Sequence, residues 1–228
     1  MHLSKVARSV VTDLSALLLT VGLSIFATLH SHIPAALSFA QLVAIELLIL
    51  AWPVAYFTRS KSSAKVHHDQ KSAAYMETTV FAVLAAALSY GNYLLFYSRH
   101  SIDPAYMDHA NPLHLQATTV ALTTIALCGL INTLFVSLEA KKHAFRKASL
   151  DTELMKRLAV SGVILLSLIY LPLSHTLLNT KSLGFSDWLA ILFCALVYAA
   201  FRLLQRHTAK HSRHAVIKLH QEVHSHSK

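Results

Sequence analysis

The sequence predicts an all-α fold: a polytopic membrane protein with six transmembrane helices and both termini on the cytoplasmic side. Three observations carry this. Only 14% of the 228 residues are charged and 54% are hydrophobic, where soluble domains carry roughly a quarter charged. The apolar residues gather in six runs, each near the roughly 20 residues a helix needs to cross about 30 Å of hydrocarbon. The basic residues take sides. Of the 20 Lys and Arg, all but Arg99 and Lys181 fall at the N-terminus, after the second and fourth runs, or at the C-terminal end, and such basic segments stay cytoplasmic.

The first run, residues 11–29, follows Lys5 and Arg8. It is longer than the apolar core of a secretory leader and lacks a small-residue cleavage site, so it is expected to be retained as a helix. Asp13 near its start is expected to pair with Arg8 or another nearby base. The second run, residues 37–57, contains Glu46 and Pro53, an acid and a helix breaker in a segment otherwise built for lipid. The third, residues 78–96, begins after Glu77, which reads as a solvated helix end, as does Glu139 after the fourth run, residues 115–136. Asn132 in that fourth run is expected to make an interhelical hydrogen bond.

The fifth and sixth runs are residues 158–177 and 188–204. Asp187 is placed to cap the last helix and meet its orphan N–H groups, and Trp188 to sit at the membrane interface. The connections on the outer side are short and carry Pro34, Pro104, Pro112 and Gly184, as turns do. Residues 1–206 thus form one membrane domain, and residues 207–228 a basic, His-rich cytoplasmic tail. The runs are continuous rather than alternating and are about twice the length of barrel strands, which excludes a β-barrel. Cys128 and Cys194 both lie in apolar runs, so no disulfide framework is indicated. The net charge of +9 follows from the cytoplasmic loops. Nucleic acid is not an expected partner, because no recognition motif accompanies the charge.

Particular stretches carry a resemblance. In "LIYLPLSHTLLNTKSLGFSDWLAILFCALVYAAFRLLQR", Tyr170 and Pro172 form a turn, and Leu183, Asp187 and Trp188 lead into a helix that closes on Arg206. Upstream stand "ALTTIALCGLINTLFVSLE", "LSYGNYLLFY" and "FATLHSHIPAALSFAQLVAIELLILAWPVA". In this order they resemble the C-terminal transmembrane region of P-type cation-transporting ATPases, helices five to ten, over roughly residues 5 to 206. The resemblance implies a cation site on the sixth helix, where an Asn or Asp, a second acid four residues on and a Pro three further fall on Glu46, Leu50 and Pro53. A dehydrated cation wants several oxygens, and a proline frees carbonyls that membranes tolerate only around a cavity. The fifth-helix ligand positions of the calcium pumps fall on about Leu18 and Val21, and the eighth-helix acid on about Gly129. A full calcium cage is therefore dismantled.

Candidate cation or proton residues are Glu46, Pro53 and Asn132. An acid deep in a membrane helix costs on the order of a few kcal/mol when charged and is a functional hypothesis by default. Glu46 is placed to hold a proton or to serve as the single counter-charge of a cation. The plainer reading is a protonated Glu hydrogen-bonded to a neighbouring helix. Among the 16 histidines, His207, His211 and His214 line one face if the last helix continues, and such spacing can hold Zn or Ni. A solvated His-rich tail shows the same spacing.

None of the six aspartates begins an Asp-Lys-Thr-Gly motif, and no cytoplasmic connection is long enough for a nucleotide-binding domain. No cofactor is expected, and the chain is not expected to be an enzyme by itself. The expected role is a subunit, regulator or split piece of a cation transport ATPase in the plasma (cell inner) membrane, packed in the bilayer against an ATPase core or another transport subunit. The alternatives are a small ATP-independent proton or metal-cation transporter using Glu46, and a structural membrane protein without transport.

Overall fold

A computed structural model describes residues 5–31, 33–50, 70–108, 111–142 and 152–225. Its first helix, α1 (Lys5–Ser31), is built inside out. Thr12, Asp13, Ala16, Leu17, Thr20, Ser24 and Ala27 are buried, while Leu18, Ile25, Phe26 and Leu29 are exposed. Small and polar residues at i, i+3 and i+4 spacing face the neighbours and large apolar ones face outward, the pattern expected where the surrounding solvent is lipid. The buried hydroxyls bond back along the helix: Thr20 to Ala16 O at 2.9 Å and Ser24 to Thr20 O at 2.8 Å. They therefore bring no unsatisfied donor into the apolar layer.

The chain then turns into α2 (Phe39–Ala44) through a capping box. Gln41 N–H donates to Ser38 Oγ at 3.3 Å, and Ser38 N–H donates to Gln41 Oε1 at 2.9 Å. Both orphan donors of the new helix start are met by side chains. α2 opens directly into a π-helical turn, Ile45–Leu50. Next come α3 (Gln70–Arg99) and, after a short 3₁₀ turn at Pro104–Tyr106, α4 (Pro112–Lys142). The chain continues with α5 (Thr152–Tyr170), α6 (Pro172–Leu178) and α7 (Phe185–Ser225). No described residue lies in a strand.

α4 is the axis of the bundle. Ala117, Thr119, Val120, Ala121, Leu122, Thr123 and Thr124 are all buried, so the helix is enclosed on every side. α3 lays Ala82, Ala85, Ala86 and Ser89 against its neighbours, and Ser89 Oγ donates to Ala121 O at 2.9 Å. At the loop end, Tyr93 Oη donates to Pro34 O at 2.6 Å, which fastens the α1–α2 connection to α3.

Among the described residues, four helices are long and apolar enough to cross a membrane, Val11–His30, Met76–Arg99, Pro112–Val136 and Phe185–Gln205, and the bent pair Thr152–Tyr170 with Pro172–Leu178 makes a fifth if it counts as one span. The four match the first, third, fourth and sixth predicted runs. The fifth run departs from expectation. The sequence predicts one span over residues 158–177, and the helix there breaks at Leu171, where α6 leaves α5 at 81°. The cause is local. Pro172 disfavours helical backbone at the residue before it, and Leu171 is extended at φ −76° and ψ 133°. α6 then ends on Asn179 in the left-handed region at φ 50°, a conformation Asn tolerates at helix ends. Of the second run, the helical part through Leu50 is described, and residues 51–57 lie outside the described residues.

Candidate functional site

Glu46 stands at the start of the π-helical turn. Ile45 and Ile49 on either side are fully buried and Leu47 is exposed, so the turn lies at the boundary of the bundle, packed on α4 and α5. One carboxylate oxygen, Glu46 Oε1, is buried and has no hydrogen-bond partner among the described residues. The reading of Glu46 as bonded to a neighbouring helix finds no partner at this atom. A wide turn of this kind is a known habit of helices at functional sites.

Pro53 lies outside the described residues. Within them, Ser161 Oγ on α5 donates to Ile49 O at 2.8 Å in a buried bond. Hydroxyls commonly satisfy such carbonyls in membranes. Ser161 carried no signal of this bond in the sequence.

Asn132 is not joined to Glu46. It is fully buried, with Nδ2 donating to Asp13 Oδ1 at 3.0 Å and Oδ1 accepting from Arg202 Nη2. Arg202 is 3% exposed. Its Nη1 donates to Glu77 Oε1 at 2.8 Å, and the guanidinium lies 3.8 Å from the centre of the Phe81 ring. Glu77 was read as a solvated helix end. The structure corrects this, because its side chain is 20% exposed and paired to Arg202. Asp13, expected to pair with a nearby base, bonds to the Asn132 amide. A small cavity lined by Thr12, Asp13, Ala16, Leu17, Ala85, Ile125, Gly129 and Tyr198 adjoins this cluster.

A second polar cluster closes the other end of the same helices. Asp187 is 1% exposed. Its Oδ2 accepts from Gly184 N–H at 3.0 Å and from Gln116 Nε2 at 2.8 Å, and its Oδ1 from Arg99 Nη2 at 3.3 Å. The bond to Gly184 N–H is the capping role expected of Asp187, made from the first turn back to the residue before the helix. Trp188 Nε1 donates to Tyr170 Oη at 2.7 Å, which ties the start of α7 to the end of α5.

The two clusters are reciprocal. α3 and α7 each end their apolar stretch in an arginine that reaches an acid at the start of the other: Arg202 to Glu77, and Arg99 to Asp187. α4 supplies an amide at each end, Asn132 and Gln116. These amides are 16 positions apart, about 24 Å along the axis at 1.5 Å per residue, a little less than the hydrocarbon thickness of about 30 Å. The acids and arginines therefore sit close to the two faces of the apolar layer, bonded within the bundle.

His207, His211 and His214 lie on α7, which continues unbroken to Ser225, so the three positions fall on one stripe of the helix. His207 is exposed. Among the described residues, no group of three or more His, Cys, Asp or Glu side chains is gathered as metal ligands. Cys128 and Cys194 are unbonded to each other and buried.

Apolar spanning helices with small and polar inward faces define an integral membrane domain, and among the described residues Arg99 and Arg202 pair with Asp187 and Glu77 near the ends of the bundle. Residues 34–207 match the family described as "Cation transporting ATPase, C-terminus", and the chain belongs to that family. The match begins after α1. No curated protein matches the chain.

Proposed function

We propose that the chain is the membrane module of a cation transport ATPase, acting as a subunit, regulator or split piece that packs in the bilayer against an ATPase core. The family match over residues 34–207 carries this reading. The sequence adds that no aspartate sits in a phosphorylatable Asp-Lys-Thr-Gly motif. The module hydrolyses no ATP by itself and depends on a partner for energy. Both termini are cytoplasmic and the membrane is the cell's plasma or inner membrane, as the distribution of Lys and Arg supports. Residues 1–206 form the bundle, and residues 207–228 the tail that a cytoplasmic partner meets. The test is reconstitution. Purified chain in proteoliposomes is expected to show no ATP hydrolysis, and hydrolysis together with cation uptake is expected only when a core bearing the missing motif is added. ATP hydrolysis by the chain alone would overturn the proposal.

One observation favours a second reading, ATP-independent movement of a proton or metal cation at Glu46: the buried, unpartnered Glu46 Oε1 on a π-helical turn. An unbonded carboxylate oxygen beside the bundle is chemically able to take a proton or a cation. Against it, Ile49 O is bonded to Ser161, and Asn132 is committed to Asp13 and Arg202. Flux by the chain alone that Glu46→Gln abolishes would establish this reading, and flux equal to wild type in that variant would remove Glu46 as the site.

A further inference from the structure

A guanidinium enclosed among four membrane helices needs a built place to sit, and three of those helices supply it. α3 gives the Glu77 carboxylate at 2.8 Å and the Phe81 ring at 3.8 Å. α4 gives Asn132 Oδ1. α1 gives Asp13, whose carboxylate accepts from Asn132 Nδ2 at 3.0 Å and so holds the amide with its oxygen turned toward Arg202. An amide that is free to flip offers either a donor or an acceptor, and Asp13 removes that choice. We propose that Asp13, Glu77, Phe81 and Asn132 form a cation site matched to a planar guanidinium, filled in the resting protein by the side chain of Arg202 as a tethered ligand.

The shape of the site favours this ion class. Oxygen acceptors meet the edge of the guanidinium while an aromatic ring covers its face, the arrangement a flat, delocalised cation takes and a compact ammonium or metal ion does not. The contacts grip the two terminal nitrogens. Arg202 Nε–H, the group that belongs to the tether, is buried and has no partner among the described residues, so an untethered guanidinium brings every bonded edge that Arg202 brings. On the Asp13 side a water-sized cavity touches Thr12, Asp13, Gly129 and Tyr198. The site is separate from Glu46. Its ligand is carried by α7, whose helix continues to Ser225, so withdrawing α7 from the bundle withdraws the cation.

The experiment is chemical rescue in the full-length chain. Arg202→Ala and Arg202→Gln are purified in detergent, and thermal unfolding and monodispersity are followed with millimolar guanidinium chloride, or with equal sodium or tetramethylammonium chloride. Both variants are expected to unfold at lower temperature than wild type. Guanidinium is expected to raise their midpoints by about 2–4 °C, the size of shift that a ligand held at several times its Kd gives a chain of this length. The other two salts are expected to leave them unmoved. The gain should vanish in the double variant Arg202→Ala/Glu77→Gln and be absent in wild type, whose site is filled. Equal rescue by all three salts would reduce the cluster to ordinary charge screening and overturn the proposal. So would the absence of any guanidinium effect, or failure of both variants to yield folded protein even with guanidinium present from extraction onward.

Discussion

Asp187→Asn tests whether the end clusters hold the bundle together. The change keeps the size of the side chain and one acceptor oxygen, but turns the other oxygen into a donor and removes the charge. Asp187 meets three donors, from Gly184, Gln116 and Arg99, so at least one of them must face an N–H in the variant. A hydrogen bond to a charged group contributes about 1.5–3 kcal/mol, and a donor left unmet costs a comparable amount. The Arg99 pair adds little, because Arg99 is 27% exposed and such pairs contribute about 1 kcal/mol at most. The expected loss is about 2–3 kcal/mol, or a fall in Tm of roughly 5–10 °C at 2–4 °C per kcal/mol for a chain this long. Scanning fluorimetry on detergent-purified protein reads it directly, since Trp188 adjoins the site and is bonded to Tyr170. In an Arg99→Met background the same substitution should cost less, because contacting residues do not add. A Tm for Asp187→Asn within about 1 °C of wild type would refute the reasoning, since it would mean the three donors gain nothing from the carboxylate.

Other substitutions separate the two regions. Glu46→Gln should leave Tm unchanged or slightly raised, because Glu46 Oε1 has no bond to lose; a large drop would show a partner unaccounted for. Ser161→Ala removes the side-chain donor to Ile49 O and should cost about 1–3 kcal/mol as a buried carbonyl loses its bond, read as a lower Tm. Tyr93→Phe frees Pro34 O and should speed proteolysis in the α1–α2 connection while costing about 1 kcal/mol of stability. Pro172→Ala should straighten the α5–α6 corner, read as a longer distance between spin labels placed on exposed Val163 and Leu177; an unchanged distance would place the cause of the bend elsewhere.

Hydropathy made most of the helices legible, because a membrane span must satisfy its own backbone and so must be long and apolar. It does not register the bend in the fifth run, because "YLPLSHTLL" is apolar throughout and the backbone restriction that Pro172 imposes on Leu171 leaves no mark on composition. The charges at the ends of the runs were misread for a related reason. Position along a single helix suggests water for Glu77, but burial there is decided by four helices meeting. A clue did exist in the sequence: two antiparallel segments each begin with an acid and end with an arginine, Glu77 to Arg99 and Asp187 to Arg202, which is what reciprocal pairing requires. Asn132 behaved as an interhelical bonding residue, and its partners lay 119 and 70 positions away, beyond the reach of any local pattern. Ser161 was invisible because a serine in an apolar helix usually bonds to its own backbone.

Native mass spectrometry of the chain extracted from its own membranes in mild detergent tests most directly whether the module works with an ATPase core. The expected result is a stoichiometric complex with a protein that carries the Asp-Lys-Thr-Gly phosphorylation motif, lost when the bundle is destabilised by Asp187→Asn. A chain recovered alone that still drives proton or cation flux in proteoliposomes would contradict it.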